Sequence, residues 1–177
     1  MKKKNGIKIN LTDTEKKNLR SKKFKITDIL DLAIDEIEAI LAVSYVRARE
    51  IYALAQFQIV PSIGVKFAED LIFLGYYSLN ELKTKNAAKL VEEYEIKKGY
   101  WIDSCVEDQF RLVVHFANND GSTKKWWDFT EERKKYRLER GYPTNRPKTP
   151  WYEVIEVKRK KPAAVTQASL TAGRLAH

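Results

Sequence analysis

The sequence predicts an all-α protein with one helical core flanked by basic segments. Three observations carry this. Ser/Thr-x-x-Glu spacing, the reciprocal cap that opens helices, recurs at Thr12–Glu15, Ser78–Glu81 and Ser104–Glu107. Apolar residues return every three to four positions, as at Ile37, Ile40 and Leu41 and again at Phe110, Val113, Val114 and Ala117. No alternating apolar–polar run repeats along the chain as a sheet would require. The 177 residues, 44% hydrophobic and 11% aromatic, suffice for a single core.

The elements follow in order. The Thr12 cap opens a short helix from about Asp13 to Lys22. Thr27 is a reasonable N-cap for the next, which carries Ile29, Leu30, Leu32, Ala33, Ile34, Ile37, Ile40 and Leu41 inward and Asp28, Asp31, Asp35, Glu36 and Glu38 outward. After a break at Ala42–Tyr45, Ser44 caps a helix reaching about Gln56. Pro61 and Gly64 punctuate a sharp turn. A new period, Val65, Ala68, Leu71 and Ile72, stops at Gly75. Short helices are expected after Ser78 and over 86–97, and a longer one from Ser104 to the Asn118-Asn119-Asp120-Gly121 turn. Thr130 opens a charged helix ending at Gly141. The three prolines of Tyr142–Trp151 predict irregular extended chain, and Trp151–Val157 reads as a strand or plain extended backbone. The division is a basic N-terminal arm over 1–25, a helical domain over 26–140 and an extended basic segment over 141–177.

Composition narrows the function. Cys105 is the only cysteine and His115 and His177 the only histidines, too few for a standard zinc site. Seven glycines leave no Gly-rich phosphate loop, and no carboxylate spacing marks a metal cluster. No enzyme activity, metal or cofactor is expected. No stretch approaches the roughly 20 apolar residues that span a bilayer, so no membrane partner is expected and the cytoplasm is the expected compartment. The net charge is +9. Residues 1–25 hold ten Lys/Arg against two Asp/Glu, and 130–177 hold twelve against five; the middle holds eleven against seventeen. Attraction for a polyanion therefore lies in the flanks, and any grip by the core must be local.

Val60-Pro61-Ser62-Ile63-Gly64-Val65-Lys66-x-Ala68-x-x-Leu71 resembles a helix-hairpin-helix signature, with Ser62 where the first hairpin glycine usually stands. Asp35–Gln56 resembles a degenerate preceding copy with Val43-Ser44-Tyr45-Val46 at its hairpin. Gly75-Tyr76-Tyr77-Ser78-Leu79-x-Glu81-Leu82, Asp103-x-Cys105-Val106-x-x-x-Phe110-Arg111 and Trp126-Trp127-x-Phe129-Thr130-x-Glu132-Arg133-Lys134 extend the likeness. Together they resemble small bacterial pathogenicity-locus helix-hairpin-helix proteins, some labelled mitomycin-resistance-like. Ser104 stands where that family often has proline. The resemblance covers about Leu54–Lys134. It implies a tandem helix-hairpin-helix core followed by further packed helices, and association with DNA, but no established reaction.

A hairpin of this kind holds phosphate by aiming backbone N–H groups, reinforced by the helix dipole, at an anion. Ser62, Ile63, Gly64 and Val65 are the candidate backbone donors, with Lys66 as the charge. The degenerate hairpin offers Ser44, with Arg47 or Arg49 as cation. Such contacts position a backbone and carry no base code. The expected function is sequence-independent nucleic-acid binding, DNA foremost. The alternative is a helical adaptor that binds a protein partner through the same stack. Oligomeric state, strandedness and the choice of DNA or RNA stay open.

Three further features have structural explanations beside functional ones. Cys105 and His115 lie about 15 Å apart if one helix carries both, too far for a nucleophile–base pair. A buried thiol near a helix start, with Asp103 as a local cap, and a partly buried His115 are the plainer readings. Trp126-Trp127, beside Lys124 and Lys125, suits base stacking, yet at least one of the two rings should pack into the core. Lys158-Arg159-Lys160-Lys161 is a generic polyanion patch.

Overall fold

A computed structural model describes residues 6–154. Its helices are α1 (Asp13–Ser21), α2 (Ile34–Leu41), α3 (Tyr45–Phe57), α4 (Val65–Leu74), α5 (Ala87–Lys98), α6 (Ser104–Asn118) and α7 (Thr130–Arg140). Short 3₁₀ segments lie at Ile26–Asp31, Asn80–Leu82 and Trp126–Phe129. The described residues contain no named strand, and their isolated β-bridge joins Trp101 to Pro150. The fold is all-α, as the sequence predicts. His177 and the Lys158–Lys161 cluster lie outside the described residues.

The caps explain most boundaries. Thr12 Oγ1 accepts the Glu15 N–H at 3.1 Å, and the Glu15 carboxylate accepts the Thr12 N–H at 2.7 Å. That is the capping box expected of the sequence. Gly75 and Gly99 close α4 and α5 with φ of 98° and 76°, in the left-handed region that ends helices at low cost. The helix expected after Thr27 is instead interrupted. Leu32 and Ala33 are extended, with ψ of 148° and 162°, so a 3₁₀ segment precedes α2. Asp28 and Glu36 accept the Lys25 and Ala33 N–H groups, at 2.8 and 2.7 Å, restarting the chain twice. The interruption sends both Ile29 and Ile37 fully into one core.

Two other caps depart from expectation. Asp103, rather than Ser104, caps α6, accepting the Cys105 N–H at 2.9 Å. The Glu107 carboxylate is buried against arginines instead of reaching back to the helix start. Thr130 is the first residue of α7, and its hydroxyl donates to Asp108 at 2.9 Å.

Packing runs along the chain in two hairpins and a lid. α3 lies against both α2 and α4, while α6 lies against α5 and the Trp126–Phe129 segment. Phe57, Leu71, Leu82, Phe110 and Leu112 are fully buried at the centre. Phe110 packs edge-to-face with Phe67 at 4.9 Å and at a tilt against Tyr94 at 5.5 Å. Burying each such side chain contributes about 1.5–3 kcal/mol. α7 has no buried residue, but ion pairs clamp it to α6: Arg133 to Asp108 at 2.8 Å, Arg137 to Glu107 at 3.0 Å and Glu132 to Arg111 at 2.9 Å.

The N-terminal segment does not stand apart as an arm. Ile7, Ile9, Leu11 and Leu19 are buried in the common core. Between them, Lys8 and Asn10 face solvent. The Gln58 amide holds this segment in place, accepting the Lys8 N–H at 3.0 Å and donating to the Lys8 carbonyl at 2.8 Å. Packing therefore crosses the expected boundary at residue 25. At the other end, 141–150 is irregular as predicted, but 151–154 form a helical turn rather than extended chain. The Arg146 guanidinium straps this segment down by a bidentate pair to the buried Glu95, both contacts at 2.7 Å.

Candidate nucleic-acid interface

The α3–α4 hairpin carries the sequence signature of the core. α3 ends at Phe57, and the chain reverses through Gln58–Gly64 before α4 begins at Val65. Ser62 has φ of 62°. A non-glycine residue here carries a strain of about 1 kcal/mol, which is why glycine is the ordinary occupant. Its hydroxyl donates to the Pro61 carbonyl at 2.6 Å and accepts the Trp126 N–H at 3.1 Å. The Ser62 hydroxyl is thus turned inward, as a tether between the hairpin and the Trp126–Phe129 segment.

The start of α4 is open. Gly64 is its N-cap and supplies no side-chain cap. The Ile63 N–H is bonded to the Val60 carbonyl at 3.2 Å, so it adds little to an anion site. The N–H groups of Gly64, Val65 and Lys66 have no protein acceptor among the described residues. Gly64 and Lys66 are exposed, Val65 half-buried. A shallow cavity of about 340 Å³ lies at this point, lined by Gly6, Lys8, Gln58, Ile63, Gly64, Val65 and Lys66. Lys8 reaches it because Gln58 holds the N-terminal segment there, a neighbour that hairpin spacing gives no hint of.

The α2–α3 hairpin is built differently. Ala42 takes the left-handed turn with φ of 55°, and Ser44 Oγ caps α3 by accepting the Arg47 N–H at 3.4 Å. Neither candidate cation is presented to solvent alone. Arg47 donates to Glu15 at 2.8 and 3.1 Å and to the Asn10 carbonyl at 2.9 Å, and lies 3.5 Å from Glu50. The hydrogen bonds to Arg47 hold the Glu15 carboxyl below its usual range, against the opposing effect of burial. Glu15 raises Arg47 in turn. Arg49 lies 3.6 Å from Glu81, with its guanidinium 3.9 Å from the centre of the Tyr77 ring. The two arginines therefore fasten α3 to α1 and to the 77–81 loop. Beside Ser44, this hairpin exposes two large apolar side chains, Tyr45 at 56% and Val46 at 62%.

The tryptophan pair divides. Trp126 packs against the core, while Trp127 is 48% exposed, edge-to-face with it at 5.3 Å. Lys125 Nζ lies 4.9 Å from the Trp127 ring centre and Lys124 Nζ lies 5.3 Å from that of Phe129.

Cys105 and His115 sit on α6, one at its start and one near its end. Burial, and then the Asp103 carboxylate beside it, push the thiol up to about 11. Burial and the charge of Lys124 lower His115, whose ring contacts Phe129 at 5.3 Å and Asn119 at 3.3 Å. A protonated, half-buried thiol is a poor nucleophile. Among the described residues, no group of three or more His, Cys, Asp or Glu is arranged to hold a metal ion. No helix among them is long and apolar enough to cross a membrane.

The stretch from α3 to α7 that holds the hairpin and both tryptophans has a counterpart among known families. Residues 50–135 match the family model described as Cdd1, pathogenicity locus. The match takes in the α3–α4 hairpin, Cys105 and the tryptophan pair, and leaves out α1, α2 and the C-terminal strap. No curated protein and no solved structure matches the chain.

Proposed function

We propose that α2–α3 and α3–α4 form a tandem helix-hairpin-helix unit, akin to the mitomycin-resistance-like proteins, that binds nucleic-acid backbone without reading its sequence. The observation that carries this reading is the open start of α4. Three backbone N–H groups, at Gly64, Val65 and Lys66, have no acceptor among the described residues there, and Lys66 and Lys8 line the same cavity. Donors of this kind, with the helix dipole behind them, favour a phosphate oxygen. The α2–α3 copy supports the fold in this reading and leaves the phosphate contact to the second hairpin, since Arg47 and Arg49 are held by carboxylates.

Gly64→Glu tests the reading. An added Cβ at Gly64 meets nothing within 4 Å, and its φ of −108° suits any residue. The new carboxylate is compatible with a helix start, where acids are favourable, while it repels phosphate. Fluorescence anisotropy with labelled duplex and single-stranded DNA at two salt concentrations should show salt-sensitive binding that the variant loses with its helical signal intact. Unchanged binding by the variant, or none by the wild type at low salt, would sink the reading.

One observation favours a second reading, a protein-binding adaptor. Tyr45 and Val46 project from the α2–α3 hairpin, 56% and 62% exposed. Retention of a protein partner that Val46→Asp abolishes, with no retention of DNA, is the outcome that decides for it.

A further inference from the structure

Trp127 is half-exposed on the folded surface, unlike its neighbour in the sequence. Trp126 packs against the core. Its backbone N–H is fixed to Ser62 Oγ at 3.1 Å, which ties the start of the Trp126–Phe129 segment to the α3–α4 hairpin, two residues before Gly64. Asp128 fixes the same segment from the other side by accepting the Lys125 N–H at 2.8 Å. Phe129 is buried. Trp127 is therefore carried outward on a rigid 3₁₀ turn anchored before and after it. The Lys124 and Lys125 ammonium groups lie over aromatic rings rather than on carboxylates, so both charges remain for a ligand.

We propose that Trp127 is a stacking platform for an unpaired base, set beside the phosphate site at the start of α4, so that the protein prefers single-stranded or gapped nucleic acid to intact duplex. The inference rests on the backbone-binding reading above and specifies its substrate. An exposed aromatic ring with Lys125 beside it suits an unstacked base followed by its phosphate, because every base presents a π-face and every nucleotide a negative charge. Bases in a closed duplex are stacked on their neighbours and leave no face for Trp127. The Ser62–Trp126 hydrogen bond joins the segment that carries the ring to the hairpin that carries Gly64–Lys66. Contact with a protein partner suits this patch less well, because Lys124 and Lys125 place positive charge here on an otherwise acidic core.

The test compares wild type, Trp127→Ala, Trp127→Phe and Gly64→Glu against a labelled single strand, a gapped duplex and a blunt duplex of unrelated sequences. Trp127→Ala should lose about tenfold in affinity for the single strand and the gap, with Trp127→Phe keeping most of it. Binding to the blunt duplex should be unchanged in both. Quenching of tryptophan fluorescence by the single strand should shrink in Trp127→Phe. If Trp127→Ala leaves single-strand affinity unaltered while Gly64→Glu abolishes binding, stacking is wrong and the hairpin grip survives. If Trp127→Ala costs tenfold while Gly64→Glu costs nothing, stacking stands and the hairpin grip fails. No binding by the wild type overturns both.

Discussion

Ser62 and Trp126, 64 positions apart, meet through a hydrogen bond in which the serine hydroxyl accepts the tryptophan N–H at 3.1 Å. Glycine would relieve the turn at residue 62 but leave that N–H without its partner. The serine keeps a left-handed φ of 62° and gains the tether. The two effects are of similar size, about 1 kcal/mol each.

This balance makes a pair of substitutions informative. Ser62→Gly removes the strain and the hydrogen bond together, so its stability in urea should stay within about 0.5 kcal/mol of wild type. Ser62→Ala keeps the strain and loses the bond, and should cost about 1–2 kcal/mol. Equal stabilities for the two variants, both of which lack the hydroxyl, would mean that the left-handed turn carries no strain, whereas a Ser62→Ala as stable as wild type would mean that the hydroxyl contributes nothing.

The elements that the sequence makes legible are those whose signals are local. Gly75 ends α4, Asn86 begins α5 by accepting the Lys89 N–H, and Thr12–Glu15 opens α1, because each cap lies within four residues of its partner. Pro61 to Leu71 likewise contains its own turn and the helix after it. The features missed depend on partners far along the chain. Ile7-Lys8-Ile9-Asn10-Leu11 alternates plainly, yet a basic N-terminus invites reading as a free arm, and the Gln58 amide that fixes it is 50 residues away. α7 reads as a solvated charged helix because its anchors, Asp108 and Glu107, lie 25 and 30 residues earlier. Arg47 looks like a phosphate ligand until Glu15, 32 residues upstream, is found on it. A lysine or arginine carries no local mark of whether a carboxylate already holds it.

The Glu15–Arg47 pair has a pH signature. The folded protein holds the Glu15 carboxyl below its ordinary value of 4.5, chiefly through the hydrogen bond from Arg47. The unfolded chain therefore binds a proton at Glu15 before the folded chain does. The pair's contribution is fully present above about pH 4.5 and is lost as pH falls through the lower, folded value. Glu15→Gln should cost about 2 kcal/mol at pH 7. The stability difference between wild type and variant, measured by urea unfolding, should shrink steadily below pH 4.5. A difference that stays constant from pH 7 to pH 3 would rule out ionised Glu15 as the source.

The C-terminal strap is held by a buried ion pair in addition to its backbone bonds with Trp101, whose N–H donates to the Thr149 carbonyl and whose carbonyl accepts the Trp151 N–H, both at 2.9 Å. Glu95 is 1% exposed, and its carboxylate accepts two hydrogen bonds from Arg146 at 2.7 Å and one from the Ile102 N–H at 3.0 Å. Tyr142 stacks on the same guanidinium, 3.7 Å from its ring centre. Removing Arg146 leaves a buried charge with one remaining donor, so Arg146→Ala should cost about 3–5 kcal/mol. It should also open the chain after Gly141 to limited proteolysis. Arg146→Lys should rescue little, because an ammonium cannot make the parallel pair of bonds. Glu95→Gln combined with Arg146→Ala removes the stranded charge as well as its partner, and should be more stable than Arg146→Ala alone. If instead the double variant is the weaker of the two, Glu95 contributes through something other than its pair with the strap.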